Sequence, residues 1–181
     1  VTGEQPLLDE LAAAGFRLSE RPGEIEFVVA SFDRSFDYRK LQIAFDALRA
    51  GARFVATNAD RYCPMPGGGL PDAAAVIGAL EGCTGRSVEV VVGKPSPITV
   101  RAILDLLRLP SKACLMVGDR LETDIRMGQE AGMATAVVLT GVTTPAVLAA
   151  STIVPDFVLL RLDELVPDAA SPRLPAVGSD R

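Results

Sequence analysis

The 181-residue chain has no histidine, no tryptophan and only three cysteines. Without histidine it lacks both the commonest general base and the commonest transition-metal ligand. Any chemistry must therefore rest on carboxylates, lysine, threonine and asparagine. Cys63, Cys83 and Cys114 form no CxxC pair and have no histidine to complete a zinc site, so bland buried thiols are expected. No apolar run approaches the length of about 18 residues that spans a bilayer. The opening Val1-Thr2-Gly3-Glu4 has no charged and hydrophobic leader, and its lack of an initiator methionine leads us to expect sequence upstream. Positive charge is also in deficit: 18 Lys and Arg against 23 Asp and Glu give a net −5, with no basic field for nucleic acid or an anionic membrane. These absences predict a cytoplasmic protein with neither nucleic acid nor membrane as partner.

What is present is a chain 49% hydrophobic, enough for one full core or two small units. Leu7, Leu8, Leu11 and Ala14 recur at helical spacing before Gly15, predicting a helix over 6–14. Apolar Phe27–Ala30 reads as a strand, 38–50 as a helix presenting Leu41, Ala44, Phe45 and Leu48 and ending at Gly51, and 53–57 as a second strand. That βαβ rhythm predicts an α/β fold whose parallel strands deliver their following loops to one working edge. Further on, a helix from Asp72 through Leu80, a strand over 88–92, a helix over 96–107 and a strand over 113–117 are expected. A helix over 125–131, a strand over 134–139, a helix over 144–150 and a strand over 157–160 follow. Cys63–Pro71, with its prolines and three consecutive glycines, is expected to be a loop, neither helix nor strand. From Pro167 onward the chain reads as a frayed tail.

Two segments carry chemistry. Val117-Gly118-Asp119-Arg120-Leu121-Glu122-Thr123-Asp124 brings two carboxylates to the loop after an apolar strand. Magnesium takes a few carboxylate oxygens and keeps waters, so Asp119 directly, and Asp124 through water or a lysine, suit it. The plainer alternative is that Asp124 caps the helix beginning near Ile125 while Asp119 sits in a solvated turn. Upstream, Val90-Val91-Val92-Gly93-Lys94-Pro95 places Lys94 between a strand and a helix, where its ammonium can neutralise phosphoryl oxygens. A lone GKP would be a surface turn; followed by GDxxxxD it reads differently.

Gly93-Lys94-Pro95 followed by Gly118-Asp119 and Asp124 resembles the third and fourth motifs of the haloacid dehalogenase superfamily. The likeness narrows to the HAD-IIA branch of NagD-like, phosphoglycolate and p-nitrophenyl phosphate phosphatases. It extends over Val1–Glu4, Phe36–Leu41, Gly51–Asp60 and Leu139–Val142, nearly the whole chain to about Val166. The resemblance implies a Rossmann-like parallel-sheet core with an α/β cap. Residues 1–90 would be the cap, 91–168 the C-terminal half of the core, and 169–181 a disordered tail. It also implies a magnesium-dependent phosphatase acting on a small phosphorylated metabolite through an aspartyl-phosphate. Lys94 would steady the phosphoryl group as a catalytic and substrate-binding residue, and Asp119 and Asp124 would serve the metal. Thr57, Asn58 and Asp60 would face the substrate, although an Asx-rich turn stabilising itself accounts for Asn58 and Asp60 nearly as well. A homodimer through the cap is common among similar proteins; the sequence leaves oligomeric state open.

One departure matters. The family's nucleophile lies in a DxDGT-like segment, and no DxD following an apolar strand occurs here. Ser31-Phe32-Asp33-Arg34-Ser35 is the nearest candidate, with Asp33 as nucleophile and Thr57 as phosphate ligand, but Ser35 stands where the acid/base carboxylate is needed. The favoured expectation is that the nucleophile lies upstream and that this chain alone is inactive. The rival is an inactive, truncated relative kept as a binding module. The phosphatase expectation further requires Lys94 and Asp119 to emerge from adjacent parallel strand ends.

Overall fold

The computed structural model describes residues 1–166, and the expected tail from Pro167 lies outside them. The chain divides into two compact units, one over Val1–Leu107 and one from Arg108 onward.

The first unit begins with helix α1 (Gln5–Ala13), which stops where Gly15 adopts φ +89°. Phe16 N donates to Leu11 O at 3.0 Å across that glycine, so the last carbonyls are satisfied by the reversal itself. Strand β1 (Phe27–Ala30) leads to helix α2 (Tyr38–Arg49), started by Asp37, whose carboxylate accepts from Lys40 N at 2.8 Å. Strand β2 (Arg53–Ala56) returns parallel to β1, Phe27 opposite Arg53 and Ala30 opposite Ala56. Helix α3 (Ala73–Thr84), capped by Asp72, precedes the two-residue strand β5 (Val90–Val91), which joins β2 in parallel. The sheet order is thus β1-β2-β5. Alternate residues of β1 and β2 point inward: Val28, Ala30, Phe54 and Ala56 meet Ala47 and Leu48 of α2 and Leu80 of α3 in one core. Helix α4 (Pro97–Leu107) closes this unit.

The expectation of a structureless loop over 63–71 is wrong. Strands β3 (Tyr62–Met65) and β4 (Gly68–Pro71) form an antiparallel hairpin, Pro64 opposite Gly69 and Met65 opposite Gly68. Its turn is Pro66-Gly67, with Gly67 at φ +82°, the Pro-then-Gly order a type II turn favours. A two-stranded ribbon has an outer edge on each strand, and that is where a strand tolerates proline. The cysteines also depart from expectation: Cys63 and Cys83 are exposed and Cys114 is half-buried, all three free thiols. Cys63 rides on the hairpin, every residue of which is exposed.

The second unit holds β6 (Leu115–Gly118), β7 (Ala134–Val138) and β8 (Phe157–Leu159), all parallel in that order. A π-helical turn, Leu121–Ile125, runs directly into helix α5 (Arg126–Glu130), and helix α6 (Pro145–Ala150) starts at a Thr144 cap. Leu121, Ile125 and Val137 form its buried core, flanked by Leu139, Leu148 and Ile153. Among the described residues β5 pairs with β2 and β6 with β7. The strands before Lys94 and Asp119 thus belong to different units, each paired within its own sheet. Strand β5 is only two residues long, and Pro95 and Pro97 lack the N–H groups that would extend its ladder.

Candidate functional site

In the first unit the loops after β2 and β5 lie side by side. Gly93 N donates to Thr57 O at 2.7 Å and Thr57 N donates to Ala30 O at 2.9 Å. The approach is so close that a Cβ at Gly93 would overlap Thr57 O; glycine is required there for room, its φ lying outside the left-handed region. Lys94, exposed, follows directly, and its bond to Pro95 is cis. Behind it Ser96 N donates to Gly93 O at 3.0 Å and Thr99 Oγ1 donates to Val92 O, tying the start of α4 back to the strand end.

Thr57 Oγ1 donates to Asn58 Oδ1 at 2.9 Å and lies 2.8 Å from the Ser31 hydroxyl, which completes the pair from the end of β1. Asn58 Nδ2 reaches Asp60 Oδ2 at 3.3 Å and Asp72 Oδ1 at 3.2 Å. Asp60 O accepts from Ala74 N at 3.1 Å, binding the turn to the first residues of α3. The fold thus brings Thr57, Asn58, Asp60 and the Lys94 loop to one strand-end edge, and Asn58 serves there as a buttress within an Asx network. Ser31 and Asp72 are the members that reasoning on function passed over; Asp72 was visible only as a helix cap.

Asp33, the alternative nucleophile, is spent elsewhere. Its side chain is fully buried, its Oδ2 bonds Lys40 Nζ at 2.7 Å, and its Oδ1 accepts from Ser35 N and Ser35 Oγ at 2.9 and 2.7 Å. A carboxylate held by an ammonium and two donors is a poor nucleophile.

In the second unit Asp119 and Asp124 are set by the end of β6. Asp124, 2% exposed, sits inside the π-helical turn, not at the cap of the following helix, and its Oδ2 accepts from Arg120 N at 3.1 Å. A Cβ at Gly118 would overlap that carboxylate. π-Helical turns often accompany functional sites, because the extra residue re-aims side chains. Half-buried Asp119 is held from the loop after β7: its Oδ2 accepts from Val142 N at 2.7 Å and its backbone O from Thr143 N at 3.0 Å. That loop is Leu139–Val142, noticed in the sequence only as part of a likeness.

No group of three or more His, Cys, Asp or Glu that could hold a metal occurs among the described residues. Two carboxylates are still a donor set of the kind magnesium takes. This ion takes one or two carboxylates and keeps several waters, and Asp119 Oδ1 has no protein donor among the described residues. These two aspartates would hold it.

Residues 91–165 match the HAD-hydrolase-like family model. The sugar-phosphatase AraL of Bacillus subtilis is 42% identical over 141 residues, 78% of this chain and 52% of that protein. The dihydroxyacetone phosphatase of Corynebacterium glutamicum is 34% identical over 146 residues, 81% of this chain and 52% of that protein. The chain spans about half the length of these curated relatives. Among solved structures, the 4-nitrophenylphosphatase of Thermotoga maritima matches with a TM-score of 0.86 at 38% identity, covering 91% of this chain and 62% of that one. NagD of E. coli matches with a TM-score of 0.77 at 33% identity, covering 87% of this chain and 61% of that one. The GKP and GDxxxxD segments therefore stand at the ends of β5 and β6 in a chain that belongs to the haloacid dehalogenase superfamily, in its NagD-like branch.

Proposed function

We propose that these residues belong to a magnesium-dependent phosphomonoesterase acting on a small phosphorylated metabolite through an aspartyl-phosphate. The observation that carries this is the carboxylate pair Asp119 and Asp124, fixed by backbone donors at the end of β6, in a chain similar to the sugar-phosphatase AraL and to a dihydroxyacetone phosphatase. Magnesium bound there would neutralise charge on the phosphoryl oxygens. Lys94 offers a positive charge to phosphoryl oxygens, and its three donors can follow them as charge shifts to the leaving group. Thr57 and Asp60 present polar groups to the rest of the substrate, with Asn58 keeping both in place. In this reading residues 1–90 act as the cap and 91–168 as half of the catalytic core. The nucleophilic aspartate is contributed by sequence beyond these 181 residues, which accords with the engagement of Asp33 by Lys40 and Ser35. The net charge of −5 accords with small-molecule substrates in the cytoplasm over nucleic acid or an anionic membrane. A homodimer is compatible with the proposal and is not required by it.

The test is hydrolysis of p-nitrophenyl phosphate by the full-length protein containing this chain, with magnesium titrated. Turnover should require the ion, and Asp119→Asn should lower kcat/KM by on the order of 100-fold or more. Turnover that survives chelation, or is indifferent to Asp119→Asn, would refute the assignment.

A further inference from the structure

The orientation of Asp119 is imposed from the loop that follows another strand, β7. A carboxylate at the end of β6 is free to rotate about two bonds, and a hard cation needs it in one rotamer. Here the following loop removes that freedom from two directions. Val142 N donates to Oδ2 at 2.7 Å, and Thr143 N donates to the backbone oxygen of the same residue at 3.0 Å. Gly141 closes against the carboxylate itself: a Cβ built there would overlap Oδ2 and Cγ and meet Cβ of Asp119. Gly141 does not adopt a left-handed φ, whereas Gly132, a few residues earlier in the same unit, does at +71°. What calls for glycine at 141 is therefore space alone, and the space is filled by the Asp119 side chain.

We infer that Gly141 and the Val142 amide form a positioning device for Asp119, fixing Oδ2 against the β7 loop and directing Oδ1 toward the cation. The inference rests on the phosphatase reading for the identity of the cation. The device works by exclusion and by donation together. A side chain at 141 would push the carboxylate away from the Val142 amide, losing the hydrogen bond and the rotamer in one change. Outer partners of a metal ligand characteristically alter affinity by about 10- to 100-fold when lost. Gly141 touches neither substrate nor metal and is a positioning residue.

The experiment compares Gly141→Ala with wild type in the full-length protein, using magnesium alone as the probe. Gly78→Ala, a helical glycine with open space around it, serves as the control. Calorimetric titration should show magnesium binding weakened about tenfold or more in Gly141→Ala and unchanged in Gly78→Ala. Amide hydrogen exchange at Val142, measured without magnesium, should be slow in wild type and faster in Gly141→Ala. Thermal melting without magnesium checks that both variants are folded. Magnesium affinity in Gly141→Ala equal to wild type, or a Val142 amide that exchanges equally fast in both, would overturn the inference. If the wild-type protein itself bound no magnesium, the phosphatase reading would fall. The exchange comparison would still decide whether Gly141 holds Asp119 in place.

Discussion

The carboxylate of Asp124 occupies the space that a side chain on Gly118 would need. Two residues that are far from redundant in the motif are thereby one steric unit: β6 ends in glycine because the π-helical turn folds its aspartate back over the strand end. Asp124 Oδ2 then accepts from Arg120 N at 3.1 Å, closing the turn over itself. Gly118→Ala should force the carboxylate out or the backbone apart. Overpacking of this kind costs about 1–3 kcal/mol. Urea unfolding should report that loss, and magnesium binding should weaken along with it. A variant as stable as wild type with unaltered magnesium affinity would show that the strand end has slack the geometry does not suggest.

Arg86 joins three elements of the first unit. Its Nη1 donates to Leu48 O at 2.6 Å and Ala52 O at 2.9 Å, and its Nη2 to Glu89 Oε1 at 2.8 Å. Glu89 in turn bonds Arg53 Nε at 2.9 Å and Phe54 N at 3.1 Å. The Arg53 guanidinium, then the Phe54 amide, hold the Glu89 carboxyl below its ordinary range. Only a planar fork can reach the Leu48 and Ala52 carbonyls and the Glu89 carboxylate together. Arg86→Ala should cost about 1–3 kcal/mol of unfolding free energy, and Arg86→Lys should recover only part of it. Full recovery by lysine in chemical denaturation would mean that charge alone, without fork geometry, accounts for the effect.

The elements with a strong apolar pattern were readable from the chain: the helix at Tyr38–Arg49 and the short apolar strands around Val28 and Phe54, though not the Asp37 cap. The hairpin at Tyr62–Pro71 was not, because proline and glycine are penalised by average strand propensity. Here they sit on the outer edges and in the turn of a two-stranded ribbon, where the penalty does not apply. For the site, Asp119, Asp124 and Lys94 were legible as residue types at a spacing. The partners that hold them were not. Val142 contributes only its backbone amide, which every residue but proline has, and Gly141 contributes only an absence of atoms. Ser31 is visible to Thr57 only once β1 and β2 are paired. Which strands would pair was also beyond periodicity, since β5 contributes just two residues to its ladder.

Phe54 is the largest fully buried side chain of the first unit, enclosed between α2 and α3. Phe54→Ala removes its ring from a core otherwise rich in alanine, which has little capacity to collapse inward. The expected cost is about 3–5 kcal/mol. Because Thr57 lies just past the end of the same strand, turnover by the full-length protein should become heat-labile before its kcat at low temperature changes. A loss of kcat with unchanged thermal stability would contradict a purely structural role.

The acid limb of stability should carry a signature of Asp156. Its Oδ2 accepts from Thr135 Oγ1 and Thr135 N, both at 2.8 Å, while Thr135 Oγ1 accepts from Asp156 N at 3.0 Å, a reciprocal clasp between the starts of β7 and β8. The Thr135 hydroxyl, followed by its amide, lowers the carboxyl from its ordinary aspartate value. In the window between the lowered and the ordinary value the unfolded chain binds more protons than the folded one, so stability rises with pH there. The contribution is complete above the ordinary value and is lost as pH falls through the lowered one. Thr135→Val keeps the buried shape and removes the first of these donors. Unfolding midpoints in urea, taken from neutral pH into the acid range, should differ most between wild type and variant at neutral pH and converge on acidification. A gap that stays constant down the acid limb would assign the effect of Thr135→Val to packing and leave the carboxylate no part in it.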